Sequence, residues 1–242
     1  MSGFTDILAG GLIGLGVAAG GYFAGESLVK SRLGFRTVTV KGLAEREVKA
    51  DLGFWPVRFV TTGSTLEEAR AKLVQSEKLV HDFLGQNGFA EADQQVQNIL
   101  VEDRIASYNG QEPPAGTRFA LTEDLLVKSA EVDKLATAAR LIGDILKSGV
   151  VFSSDAYNAG PSYIFTGVNG LKGDMLTVAT KRAKEAADKF ATESGAKVGS
   201  IQDANQGIIE INPAVEIPND RPEKQIMKKV RVVTTITYFL KD

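Results

Sequence analysis

Histidine occurs once in this 242-residue chain, as His81, and cysteine does not occur. A Ser-His-Asp relay would need His81 as its base, and metal sites built on thiolates or on several imidazoles are excluded. His81 lies between Val80 and Asp82 and reads as an exposed or half-buried structural residue. Carboxylates pair at Glu102-Asp103 and Glu123-Asp124. Neighbours on a strand point to opposite faces, so neither pair makes a two-carboxylate site by itself. Both pairs are read as solvated strand charges. The run GVNGLKG places Gly167, Gly170 and Gly173 three apart. It matches neither G-x-G-x-x-G nor a phosphate loop ending in Lys-Ser/Thr. Turn and helix-entry chemistry accounts for it, and small-molecule or anion binding in the 163–173 region is the alternative. Trp55, beside Pro56, reads as core or interface rather than as a ligand-stacking ring. No nucleophile–base pair can be assembled. No catalytic, metal or cofactor residue is therefore assigned, and the chain is not expected to be an enzyme.

The elements that would carry these residues follow from periodicity. Residues 37–49 alternate as a strand, and Leu52–Thr61 make a second, with Pro56 marking an edge or a bulge. Ser64-Thr65-Leu66-Glu67 reads as a capping box. It opens a helix to about Leu84 with Leu66, Ala69, Leu73, Val80, Phe83 and Leu84 near one face. Strands at 94–106 and 117–128 flank a loop. A helix over 131–147 gathers Val132, Leu135, Ala139, Ile142 and Leu146, and Gly149 stops it. A strand in two pieces runs from Val150 to Thr166. A third helix, 171–194, places Met175, Val178, Arg182, Ala186 and Phe190 on shared turns. Strands at 197–211 and 226–240 end the chain, joined by a loop with three prolines. The order from 52 to about 165 is the split β-α-β-β-α-β of ferredoxin-like domains. The expected class is α+β, with antiparallel-rich sheets and three helices.

Ahead of this body, Ile7 to Gly25 are 19 uncharged residues, enough helix to cross a hydrocarbon core of about 30 Å. Gly10, Gly14, Gly21 and Gly25 fall within a sector of roughly 60° at about 100° per residue. Two Gly-xxx-Gly steps of this kind let membrane helices approach closely. The segment 7–29 is read as one N-terminal transmembrane helix whose glycine stripe is a packing and oligomerisation face. A cleaved signal peptide is the competitor, with a small-residue site at Val17-Ala18-Ala19 or Ala18-Ala19-Gly20. No Lys or Arg precedes Ile7, whereas Lys30, Arg32, Arg36 and Lys41 follow the run. By the positive-inside rule this bias points to a cytoplasmic body. The division is a membrane anchor and linker over 1–34 and an α+β domain over 35–242. Charge is nearly balanced, 28 basic against 30 acidic residues, which gives no electrostatic case for nucleic-acid binding.

TVTVKGLAEREVKADLGFW resembles the opening strand pair of the SIMPL-domain family. The likeness is stronger from Ser148 to Ile211. Gly149-Val150 and Phe152-Ser153-Ser154 lead to Tyr163-Ile164-Phe165-Thr166, then Leu171-Lys172, Met175-Leu176, Ala179-Thr180-Lys181, Ala183, Ala186, Ser194-Gly195, Ala204 and Gly207-Ile208-Ile209-Glu210-Ile211. The resemblance implies an α+β domain, export across the inner membrane, and an association with oxidative-stress defence in some members. It carries over no catalytic residues. It also opposes the charge bias: it implies a single-pass inner-membrane protein with its soluble domain in the periplasm. The combined expectation is a membrane-anchored, self-assembling envelope protein, a homo-oligomer in a ring or hollow assembly. The alternative is a periplasmic small-molecule or anion-binding protein.

Overall fold

A computed structural model describes residues 14–25, 36–107, 112–153, 160–218 and 221–241. Helix α1 covers 14–25. Then come β1 (Thr37–Lys49), β2 (Leu52–Gly63), α2 (Leu66–Gln86), β3 (Gln94–Asp103), the single turn α3 (Arg104–Ser107), β4 (Phe119–Ser129), α4 (Val132–Leu141) and α5 (Gly143–Leu146). The short strands β5 (Val151–Phe152) and β6 (Ser162–Ile164) precede α6 (Val168–Glu193), β7 (Lys197–Pro213) and β8 (Met227–Lys241). One sheet has the order β1-β8-β7, the other β3-β4-β2-β5 with β6 also on β2. The protein is α+β, as expected, but among the described residues its body has five helices rather than three. α3 replaces the end of the strand expected over 94–106, and the helix expected over 131–147 divides into α4 and α5. Contacts group it into two units. The larger holds Ala44–Thr177 and Ile208–Val232; the smaller holds the chain up to Leu43, Val178–Gly207 and the chain from Val233.

In the larger unit the strand order β3-β4-β2-β5 is that of a split β-α-β-β-α-β domain. β2 and β4 pair antiparallel from Gly53↔Ser129 to Gly63↔Phe119. β3 pairs with β4 from Gln94↔Val127 to Asp103↔Phe119, with a bulge between Val96 and Asn98. Alternation turns Trp55, Val57 and Phe59 to the same side as Leu121, Leu125 and Val127. There they join Leu73, Val80 and Leu84 of α2 and Val132, Leu135 and Ala138 of α4 in one core. Trp55 is thus a core residue, 3% exposed.

Three local details differ from the sequence reading. The N-cap of α2 is Thr65, not Ser64: its hydroxyl accepts the Glu68 N–H at 3.2 Å, and Glu68 accepts the Ser64 N–H at 2.9 Å. In S-T-L-E-E two overlapping cap registers are available, and the Thr65 register turns Ala69 inward and leaves Leu66 exposed. The helix expected over 131–147 breaks at Ile142. The break turns Ile145 inward and leaves Leu146 exposed. Pro56 lies in a strand with partners on both sides, yet it falls in a gap. β5 reaches β2 only at Phe59 and Val60, and β6 only at Leu52 to Phe54. The missing proline N–H therefore removes no ladder bond on that side.

In the smaller unit Ala179, Ala183, Ala187 and Ala191 of α6 recur every four residues and are all buried. Val40, Ile236 and Tyr238 pack with Ala183 and Ala187. A Cβ on Gly42 would run into the Ala179 carbonyl oxygen, so glycine is what lets β1 approach the helix backbone. The expected face of Met175, Val178, Arg182, Ala186 and Phe190 is corrected. Met175, on the part of α6 that belongs to the larger unit, is buried, but Val178 is 43% and Phe190 64% exposed.

Among the described residues no helix is long and apolar enough to cross a membrane. The described part of α1, 14–25, is shorter than the expected span of 7–29, whose two ends and Gly10 lie outside the described residues. Gly14, Gly21 and Gly25 lie on α1, with open space where a Cβ would stand.

Candidate functional site

The alternation that turns Leu121, Leu125 and Val127 into the core turns Glu123 in with them. Glu123 is 0% exposed. Among the described residues neither of its carboxyl oxygens has a hydrogen-bond partner. It lies opposite Phe59 on β2 and Ile99 on β3. Burial, reinforced by the Glu77 carboxylate of α2, pushes its pKa up to about 7, while charge on His81 acts in the opposite direction. His81 and Glu77 stand four residues apart on α2, with His81 Nε2 3.8 Å from Glu77 Oε1. Gln94 donates its amide N–H to the Phe89 carbonyl at 3.0 Å. Its Oε1 is therefore the acceptor for His81 Nδ1. The reading of Glu123 as a solvated strand charge is corrected: the strand period, not the residue type, set its direction. Its neighbour Asp124 behaves as expected and pairs on the other face with Arg58, whose Nη2 donates to Oδ2 at 3.1 Å.

The other sequence candidates resolve into structural roles. Asp103 takes the Arg118 guanidinium, which holds its carboxyl below the usual range. In GVNGLKG, Gly170 and Gly173 lie inside α6. The Gly167 N–H donates to Asp51 Oδ2 at 3.0 Å, and Thr166 donates its N–H and hydroxyl to the same carboxylate. Asp51 thus occupies the place an anion would need at this helix start. Among the described residues no group of three or more His, Asp or Glu is arranged to hold a metal ion. A cleft of about 550 Å³ borders the gap beside Pro56, with Trp55, Ala139, Ile142 and Phe152 as apolar lining and Arg58 with Asp124 at its polar side. No signal singled it out in sequence, because its lining comes from distant segments.

The outer strands are the remaining chemistry-bearing surface. β3 ends its sheet. Its Val96, Ile99, Leu100 and Val101 are 43–58% exposed, and it contains no Lys or Pro. β7 ends the other sheet, with Ile201 and Ile208 exposed, the latter at 85%. Edge strands expose unpaired backbone groups, and monomeric proteins usually protect them with charges, proline or bulges.

The family described as SIMPL, protein of unknown function (DUF541), matches residues 38–238. The chain is a SIMPL-family protein. No curated protein matches it. Two solved structures have low similarity to this SIMPL chain. One is an amidase of the hydantoinase/carbamoylase family from Burkholderia phymatum, at 14% identity and a TM-score of 0.25. It covers 56% of this chain and 33% of the amidase, so the SIMPL chain spans about a third of that protein. The other is a hydrolase from Listeria innocua, at 12% identity and a TM-score of 0.21, covering 82% of this chain and 92% of the hydrolase. Scores of this size carry no argument about the SIMPL chain's fold or chemistry.

Proposed function

We propose that this SIMPL protein acts by assembling with copies of itself in the bacterial envelope, held to the inner membrane by the 7–29 segment with its body in the periplasm. The observation that carries this reading is β3, a ten-residue outer strand with apolar side chains exposed on both faces. A second copy is the occupant that fits it, because every copy brings the same β3 edge, apolar at Ile99, Leu100 and Val101 with its charges confined to Glu102 and Asp103 at one end. Among the described residues a Cβ added at Gly14, Gly21 or Gly25 would meet nothing within 4 Å, which fits a stripe that, with Gly10, packs on a helix of another copy. The link to oxidative-stress defence that the resemblance implies belongs to this reading. Native mass and light scattering of the full chain in detergent test it. A defined multimer is expected, and Ile99→Lys with Val101→Lys should reduce its order. A monomeric parent overturns the reading. Reporter fusions at Asp242 test the topology: activity of a cytoplasm-only reporter reverses the assignment to the periplasm. A second reading, small-molecule binding, is favoured by the cleft at Trp55 and Phe152. A stoichiometric small molecule released from the purified monomer would support it.

A further inference from the structure

We propose that Glu123 is a proton-binding latch that keeps α2 seated on the sheet while its carboxyl is protonated and loosens the helix when the proton leaves. The geometry requires a choice of this kind. A carboxylic acid can be held in an apolar core at modest cost, whereas an ionised carboxylate with no donor in reach is strongly disfavoured there. Among the described residues Glu123 has no hydrogen-bond donor at either oxygen, and the side chains of its flanking partners Phe59 and Ile99 supply none.

The ionisable groups around it sharpen the effect. α2 offers Glu77, which repels the anion, and His81, whose charge attracts it. The 3-10 turn Glu91–Asp93 carries Glu91 and Asp93, but Asp93 accepts the Ala90 N–H, and the turn leads into Gln94, at the Val127 end of β4. The β2 residues on the inner face, Trp55, Val57, Phe59 and Thr61, are not ionisable. On β3 the acidic residue of that face is Asp103, at the Phe119 end and bound to Arg118. The yielding element is α2. β4 is held by ladders on both sides, whereas α2 meets Glu123 at its half-exposed Glu77–His81 rim. Lifting that rim admits water to the carboxylate without unpairing the sheet.

The test is hydrogen exchange of α2 peptides (residues 66–86) in the detergent-purified full chain, corrected for the intrinsic pH dependence of exchange. With Glu123 titrating at about 7 when seated and near 4.5 when solvated, the opening constant should rise about tenfold between pH 6 and pH 8. Glu123→Gln should abolish that rise, and His81→Gln should leave it in place. Independently of any variant's folding, the infrared carbonyl band of a protonated carboxylic acid in the parent should disappear with a midpoint near 7, and Glu77→Gln should lower that midpoint. A parent band that is lost near 4.5 overturns the proposal. So does a tenfold rise that persists in Glu123→Gln and vanishes in His81→Gln, since the imidazole would then be the switch.

Discussion

Under α2 the sheet of the larger unit presents Phe59, Leu121 and Leu125, and the helix answers with Leu73, Val80 and Leu84. In the smaller unit β1 presents Gly42, and α6 answers with Ala179 and Ala183. Both layers bury one face of a helix on a strand. The first fills the space with large side chains and tolerates a buried carboxyl among them. The second removes side chains so that backbone meets backbone. Protein interiors are close-packed in either arrangement, but the two fail in opposite ways. The first loses stability when atoms are removed, the second when atoms are added.

The largest effect should come from adding atoms at Gly42. Gly42→Val places a branched Cβ with its two methyl groups where the Cβ alone would already overlap the Ala179 carbonyl oxygen, and the cost should exceed about 3 kcal/mol. Urea titration checks it; a loss under 1 kcal/mol would show that β1 and α6 are not in close contact. The converse change in the other layer, Leu84→Ala, leaves a cavity at a position that is 0% exposed. About 3 kcal/mol should be lost, measured in the same way, whereas removing the one methyl of Ala187 in Ala187→Gly should cost about 1 kcal/mol.

The carboxyl in the large-side-chain layer adds a pH term that the alanine layer lacks. Glu123 has its pKa raised from 4.5 to about 7 on folding, so folding favours its protonated form. The associated stability is fully present below pH 4.5, declines as pH rises, and is lost above about 7. The total is up to about 3 kcal/mol at 1.36 kcal/mol per pH unit. Denaturation at pH 5 and pH 8 should show the parent's decline and its reduction by that amount in Glu123→Gln. The smallest effect is expected at Phe190. It is apolar and on α6, yet 64% exposed, so Phe190→Lys should change stability by less than about 0.5 kcal/mol. A loss above 2 kcal/mol would mean that α6 buries the face chosen by hydrophobicity rather than the alanine face.

The existence of strands was legible, and at β1 alternation at Val38 and Val40 marked it. On β8 the structure keeps a strict inward-outward period from Lys228 to Tyr238, but it turns Lys228 and Thr234 inward, which residue type does not announce. Helix existence was legible too, from periodicity and from stops such as Gly149 and Gly195, both at positive φ. The buried face of α6 was not. Side-chain hydrophobicity favours Val178 and Phe190, but the close approach of Gly42 selects the smallest side chains, and Gly42 lies over a hundred residues away in sequence. Glu123 was misread for a related reason. Residue type argues for solvent, while strand period and the helix laid over β4 argue for burial.

By itself, the sequence determined the α+β class and most of the order of strands and helices, because these rest on local period and local turn chemistry, while the SIMPL pattern rests on the likeness of its residues to the family over 38–238. Tertiary structure alone decided which face of α6 is inside, that Pro56 sits opposite a gap between β5 and β6, and that a carboxyl is enclosed with no donor beside it. Those outcomes depend on how closely two distant backbones approach and on what stands across the sheet. Neither quantity is a property of any single stretch of chain.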